Sequence, residues 1–308
     1  MNQLRRKVVL ACGFLTLIAA PTAFAAIKSV TETIDWPVVV GDPARTPGPE
    51  VLGSSGNLRA LIGMPGALVK DLVLQPLLSG LPLEEPGVHS LGLTAPDQES
   101  LVVVSLESLG VLKGSRLDAY RVGRWPTRGL AARDPRYAPP PGFIPVTPEN
   151  ESTLVSKHFR LTDFLTHDQP DVWPKVLVLR APLLDKLELI ADELRRRGLP
   201  DSLRIMSGFR TPQYNAQGVG PRGGRARESR HMYGDAADVI VDANGDGVMD
   251  DLNRDGRVTI RDARVLFAVA EGVEARYPDL VGGLSAYRAT SAHGPFVHVD
   301  ARGVRARW

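Results

Sequence analysis

A single cysteine, Cys12, in a chain of 308 residues excludes any intrachain disulfide. Stability must then come from core packing and from bound ions. A surplus of one charge is also missing, since 37 Lys and Arg face 35 Asp and Glu for a net +2. That balance offers no basic surface for nucleic acid or anionic lipid. No apolar run has the length of a stable membrane anchor. Val8 to Ala20 is short for a span, and Leu58 to Leu78 is interrupted by Gly63, Pro65, Gly66 and Pro76, which predicts short helices or loops. The remainder is ordinary globular composition, 43% hydrophobic and 23% charged, with enough length for a sizeable core.

The first residues predict a leader rather than part of the fold. Arg5-Arg6-Lys7 is a positive cluster, Val8 to Ala20 a short apolar run, and Ala23-Phe24-Ala25 a small-residue cleavage site. Residues 1–25 therefore read as a signal peptide, and the protein as secreted or periplasmic. Val9-Leu10-Ala11-Cys12 lies too near the positive cluster to serve as a lipoprotein box. Cys12 leaves with the leader, and losing its three positive side chains takes the net +2 to about −1.

Residues 26–137 have β texture. Ile27 to Ile34 alternates, and Val38-Val39-Val40 and Leu101 to Leu106 are β-branched or apolar runs between Gly and Pro. They carry no catalytic motif, and the isolated His89 reads as a solvated or core histidine. Residues 138–152, with Pro139-Pro140-Pro141-Gly142, Pro145 and Pro148, read as a Pro-rich linker, or alternatively as an ordered arm along the next domain. Residues 153–308 form the second domain. A short helix capped by Thr162 or Asp163 is expected, then a helix from Pro182 to Arg197 and a strand over Leu203 to Met206. Arg195, Arg196 and Arg197 read as a solvated face opposing the helix dipole.

The chemistry concentrates in Ser229-Arg-His231-Met-Tyr-Gly234-Asp-Ala236-Ala-Asp238 and in Phe296-Val-His298-Val-Asp300. Two imidazoles and a carboxylate suit Zn²⁺, and three protein ligands leave its fourth position to water, the catalytic arrangement. Ala236 to Val241 reads as a buried strand with Asp238 near its start. Side chains alternate along a strand, so His298 and Asp300 share a face. Asp300 is then either a partner for an imidazole N–H or an auxiliary acid/base.

A second metal pattern follows. Asp251, Asn253 and Asp255 occupy positions 1, 3 and 5 of a calcium loop, with Gly256 at position 6, the Arg257 carbonyl at 7 and Asp262 at 12. Asp242, Asn244, Asp246 and Asp250 form a weaker overlapping loop whose twelfth position is Asn253. Residues 242–262 thus read as a calcium-stabilised insertion, with a helix over Ala263 to Tyr277 leaving it.

The pattern Ser229-x-His231-x-x-Gly234-x-Ala236-x-Asp238 with the late Val-His298-Val-Asp300 resembles the zinc D-alanyl-D-alanine peptidases. That family includes vancomycin-resistance carboxypeptidases and murein endopeptidases, and shares its fold with the hedgehog signalling domain. Ser207-Gly208-Phe209-Arg210 and Gly282-Gly283 fit as well, and the resemblance covers about residues 153 to 308. It implies an α+β fold, a hedgehog/DD-peptidase-like antiparallel sheet with flanking helices, here behind a small β-rich domain. It also implies a zinc metallopeptidase acting on peptidoglycan peptides, with Arg210 as an electrostatic clamp on a substrate carboxylate or oxyanion. Many relatives carry a titratable base three residues before the last His ligand; here that position is Pro295. Asp300, His293 and Glu228 are the candidates to replace it. A non-catalytic, metal-stabilised wall-binding module is the alternative.

Overall fold

The stripe Leu183, Leu184, Leu187, Ile190, Ala191 and Leu194 drives helix α1 (Ala181–Arg196), and all six side chains are buried. Pro182 sits in the first turn, where its missing N–H costs nothing, and Gly198 follows the end with φ +68°. The exposed Arg195 and Arg196 side chains at the C-terminal end pair with Asp192 and with the buried Glu193. The computed structural model describes residues 60–68, 80–94, 100–221 and 223–308, all within one unit spanning 39–308. The expected leader and the runs Ile27 to Ile34 and Val38 to Val40 lie outside the described residues.

The architecture mixes helices with several sheets. In the first half, β1 (Leu61–Gly63), β2 (Gly87–Thr94) and β3 (Ser100–Ser105) form a sheet with β3 in the middle. A helical turn, Pro65–Leu68, follows β1, within the segment read as short helices or loops. Next, β4 (Glu107–Ser108), β5 (Gly142–Val146) and β6 (Lys175–Leu177) form a second sheet in the order β4-β5-β6.

Strand β5 falls inside the stretch expected to be a linker, and the structure departs from that reading. Phe143, Ile144 and Val146 are fully buried, and they belong to the same hydrophobic cluster as Val122, Leu177, Leu187 and Val299 on both sides of the stretch. Proline density misled because apolar content outweighed it. Pro145 is tolerated because β4 pairs only with Gly142 and Phe143, which leaves that edge open beyond them.

The site stands on a five-stranded sheet. Its strands are β7 (Leu203–Ser207), β8 (Ala236–Val241), β9 (Gly283–Tyr287), β10 (Phe296–Asp300) and β11 (Ala306–Arg307), in the order β11-β9-β10-β8-β7. All pairs are antiparallel except β9 with β11. Every residue of β8 is buried, which is why it reads as a continuous apolar run rather than an alternating one. Helix α2 (Pro212–Gln217) follows β7. Helix α3 (Ile260–Arg276) packs on β9, β10 and α1. The expected helix at 162 is a 3₁₀ turn, Leu161–Phe164, in which the Asp163 carboxylate accepts the Arg160 N–H at 2.6 Å.

Candidate metal centre

Sheet register brings two of the three expected ligands together. Asp238 of β8 lies directly opposite His298 of β10, although sixty residues separate them. The third, His231, sits in a 3₁₀ turn, Arg230–Tyr233, just ahead of β8. Gly234 makes that turn possible. Its φ is +72°, and a Cβ there would stand 2.5 Å from the Val178 carbonyl. The turn is then pinned by Arg180 N–H to the Gly234 carbonyl at 2.9 Å.

The donor atoms converge. His231 Nε2 is 3.2 Å from His298 Nδ1 and 3.3 Å from Asp238 Oδ1, and His298 Nδ1 is 3.0 Å from the same oxygen. Two donors held about 2.0–2.1 Å from zinc at a tetrahedral angle would lie about 3.3 Å apart. The opposite face of each imidazole fixes its tautomer. His231 Nδ1 can only donate to the Gly208 carbonyl, at 2.6 Å, and His298 Nε2 faces the Asp300 carboxylate at 3.2 Å. In neutral rings both inward nitrogens are then bare lone pairs, and the third donor is an anion. With both rings neutral, three lone pairs aimed at one point are matched by a cation, so the residues fit a metal ion. All three side chains are buried, and among the described residues this is the one group of three or more His, Cys, Asp and Glu within ligand range.

Electrostatics follow from the same contacts. Burial lowers the affinity of His231 for a proton, and Asp238 only partly offsets it. Burial alone would raise Asp238, but the two imidazoles hold its carboxyl well below the usual carboxylate range. Burial also opposes a charged His298, yet its bonds to Asp238 and Asp300 raise it above the ordinary histidine value. Asp300 is likewise held far below the carboxylate range, because His298 and Arg302 outweigh its burial.

The expected catalytic residues fall in different places. Arg210 donates to Asp238 Oδ2, the oxygen turned away from the imidazoles, and through Nε to Ser207 Oγ at 2.9 Å. Asp300 backs the far nitrogen of His298 and is gripped by Arg302, so the strand alternation was right about its face while the base role does not match its position. Glu228 accepts the Leu130 N–H at 3.2 Å. The His293 ring packs edge-on against Phe296, and its Nδ1 donates to the Gly294 carbonyl. The sequence did not single out His167, which follows Thr166; Thr166 donates to the Phe209 carbonyl and accepts from the Thr211 N–H, on either side of Arg210. His167 is solvent-exposed on one side; partial burial and then the Arg210 charge lower its proton affinity.

The first half of the chain braces the motif. Arg230 is buried, pairs with Asp235, and lies against both the Tyr137 and Tyr233 rings, at 4.8 and 4.7 Å, which themselves meet edge-on. It also donates to the Arg136 carbonyl, while Trp125 Nε1 donates to the Met232 carbonyl at 2.7 Å. No local pattern announces these contacts, because partners such as Arg136 and Arg230 stand 94 residues apart.

The acidic loops are built differently. Asp251 accepts the N–H groups of Asp255 and Gly256, and Asp262 those of Asn253 and Thr259. Asp255 faces Arg261 and accepts the Arg257 N–H. In the weaker loop, Asp242 accepts from Gly245, Asp246 and Gly247 and pairs with Arg204, Asp250 accepts from Ala243, and Asn244 bonds Asp246. The carboxylates of these loops do not gather as the zinc donors do. His89 meets only the Glu85 carbonyl, as expected of an isolated histidine.

Comparisons of the chain with protein-family profiles, with curated proteins and with solved structures find no match. Among the described residues no helix is long and apolar enough to cross a membrane.

Proposed function

We propose that this protein is a zinc peptidase that cleaves D-amino-acid-containing peptide bonds of peptidoglycan, outside the cytoplasm and after loss of residues 1–25. One observation carries the reading: donor atoms of His231, Asp238 and His298 at the mutual distances of a tetrahedral zinc site. The motif's resemblance to the zinc D-alanyl-D-alanine peptidases, with the fold it implies, narrows a metal site to that chemistry. When bound, zinc supplies Lewis acidity and a water acidified toward neutral pH.

The chain's own residues do the rest. Arg210 steadies Asp238 and offers its remaining N–H groups to a substrate carboxylate or a developing oxyanion. His167 takes over the proton transfer that Pro295 cannot perform, because it is exposed and because partial burial and then the Arg210 charge lower its proton affinity. Calcium in the Asp251–Asp262 loop is kept as a structural ion on the strength of the ligand spacing and of Gly256 at φ +81° in the sixth position.

The test is turnover of purified muropeptides read by mass spectrometry, lost with chelator and regained with zinc. The products also separate a carboxypeptidase, which releases a terminal residue, from an endopeptidase, which opens cross-links. The non-catalytic wall-binding reading is favoured by one observation, that Asp300 and Glu228 are both engaged elsewhere. Sedimentation with wall sacculi but no product from any peptide would select it.

A further inference from the structure

Asp300 is fully buried although it lies on the sheet face that carries the donors, and Trp308 is what covers that end of the face. The indole is 57% exposed on its outer side. Its inner side lies 5.3 Å from the His298 ring, centroid to centroid, and 5.6 Å from the Arg302 guanidinium. Gly283, beside Asp300 on the neighbouring strand, leaves room for this. A Cβ at Gly283 would stand 2.3 Å from Asp300 Oδ2, 2.8 Å from Arg302 Nη2 and 3.0 Å from Trp308 Cη2, so carboxylate, guanidinium and indole meet at one point. The indole is tied down at both ends. Ser285 Oγ donates to the Trp308 carbonyl at 2.5 Å, and Trp308 Nε1 donates to Tyr287 Oη at 2.5 Å. Arg302 in turn holds both Asp300 oxygens through Nε at 2.9 Å.

We infer that Arg302 and Trp308 form a clasp that positions His298 for the metal, Arg302 fixing Asp300 against the His298 Nε2–H and Trp308 keeping water from that bond. The inference rests on the metal reading above. A ring that swings about its Cβ–Cγ bond loses its aim, and only the bond to Asp300 resists that swing on the side away from the metal. Water entering beside Asp300 would compete for the same oxygen. Exposed aromatic surface is thus spent as a shield, and Trp308 is a positioning residue that never touches substrate.

The test is zinc affinity by competition with a chromophoric chelator, on the full chain, for wild type, Trp308→Ala, Trp308→Phe and Arg302→Gln. Partners of metal ligands typically contribute about 10–100-fold in affinity. Trp308→Ala and Arg302→Gln should lose zinc affinity by about that factor, and Trp308→Phe by less than about threefold. The melting temperature of metal-free Trp308→Ala should stay within about 2 °C of wild type, since an exposed indole contributes little to folding. Equal zinc affinity in wild type and Trp308→Ala overturns the clasp. So does a loss in Trp308→Ala that Phe fails to rescue and that accompanies a lower metal-free melting temperature. Wild type that takes up no zinc ends the metal reading itself, and the clasp with it.

Discussion

The His231–Asp238–His298 centre and the Asp242–Asp262 loops both carry ligand spacing in sequence, yet the fold treats their lone pairs in opposite ways. In the loops each carboxylate accepts nearby backbone N–H groups, so Asp251 closes its own turn onto Asp255 and Gly256. In the centre the donors come from strands and a turn far apart in sequence, and their inward atoms face one another. A polar atom without a partner costs about 1–3 kcal/mol when buried, and more if charged. Three such donors held together would find their partner in a bound cation. Spacing alone does not distinguish the two cases; the count of satisfied lone pairs does.

The widest break between the regions is in metal content. His231→Ala or His298→Ala should abolish stoichiometric zinc and, on the peptidase reading, activity with it, by atomic absorption and muropeptide turnover. Asp251→Asn should leave both unchanged. Zinc retained at full stoichiometry in His231→Ala would sink the assignment of the centre.

The arginine pairs sharpen the contrast in stability. Arg230 and Asp235 are 2% and 1% exposed, whereas Arg261 and Asp255 are 73% and 31% exposed. Removing one partner of a buried pair leaves an uncompensated charge and costs about 3–5 kcal/mol. An exposed pair contributes about 0–1 kcal/mol. Urea titration should therefore show Arg230→Met strongly destabilised and Arg261→Met almost unchanged. Similar values for both would mean that the contacts of Arg230 with Tyr137, Tyr233 and Asp235 do not brace the motif.

Acidity acts on the centre through its two histidines. In metal-free protein His298 is raised above the ordinary 6.5, so its contribution is full below that value and is lost as pH rises through the raised one. His231 is depressed, so its contribution is present above 6.5 and is lost as pH falls through its lowered value. These two groups therefore place the metal-free optimum near pH 6.5. Zinc must displace the His298 proton, so affinity should climb with pH above that point and flatten once His298 is neutral. The melting-temperature gap between zinc-loaded and metal-free protein should widen from pH 6.5 to 8. A gap that narrows would exclude His298 as a ligand.

Much of the second half was legible because its signals are local. The α1 stripe and the shared face of His298 and Asp300 follow from periods of 3.6 and 2, and β8 from an unbroken buried run. The donor set was legible because residue types and strand periodicity point to the same chemistry. What stayed hidden depends on contacts distant in sequence. The Pro-rich stretch became β5 because Phe143, Ile144 and Val146 found a core that composition does not display. Asp300 was placed correctly on its face, but Arg302 and Trp308, which decide what it does there, carry no motif. The acidic loop was recognised as a pattern, whereas the capping work of Asp262 overlaps the calcium pattern at the same residue.

That overlap sets the smallest prediction. Thr259 and Asp262 form a capping box at the start of α3, with Thr259 N–H donating to Asp262 Oδ2 at 2.7 Å and Arg261 N–H to Thr259 Oγ1 at 3.1 Å. Loss of a cap typically costs about 0.5–2 kcal/mol, so Asp262→Ala should be destabilised by that amount relative to wild type when both are stripped of calcium. The calcium reading adds a second, separable term. A site with Kd near 10⁻⁴–10⁻³ M would gain about 0.4–1.4 kcal/mol at millimolar calcium by mass action. Wild type stripped with chelator should show that increment on calcium addition, and Asp262→Ala and Asp251→Asn should lose it, while only Asp262→Ala pays the cap. An increment that survives in both variants places the ion elsewhere. None in wild type leaves Asp262 a helix cap alone, and the two regions then differ in kind, one built for a metal and the other closed by its own backbone.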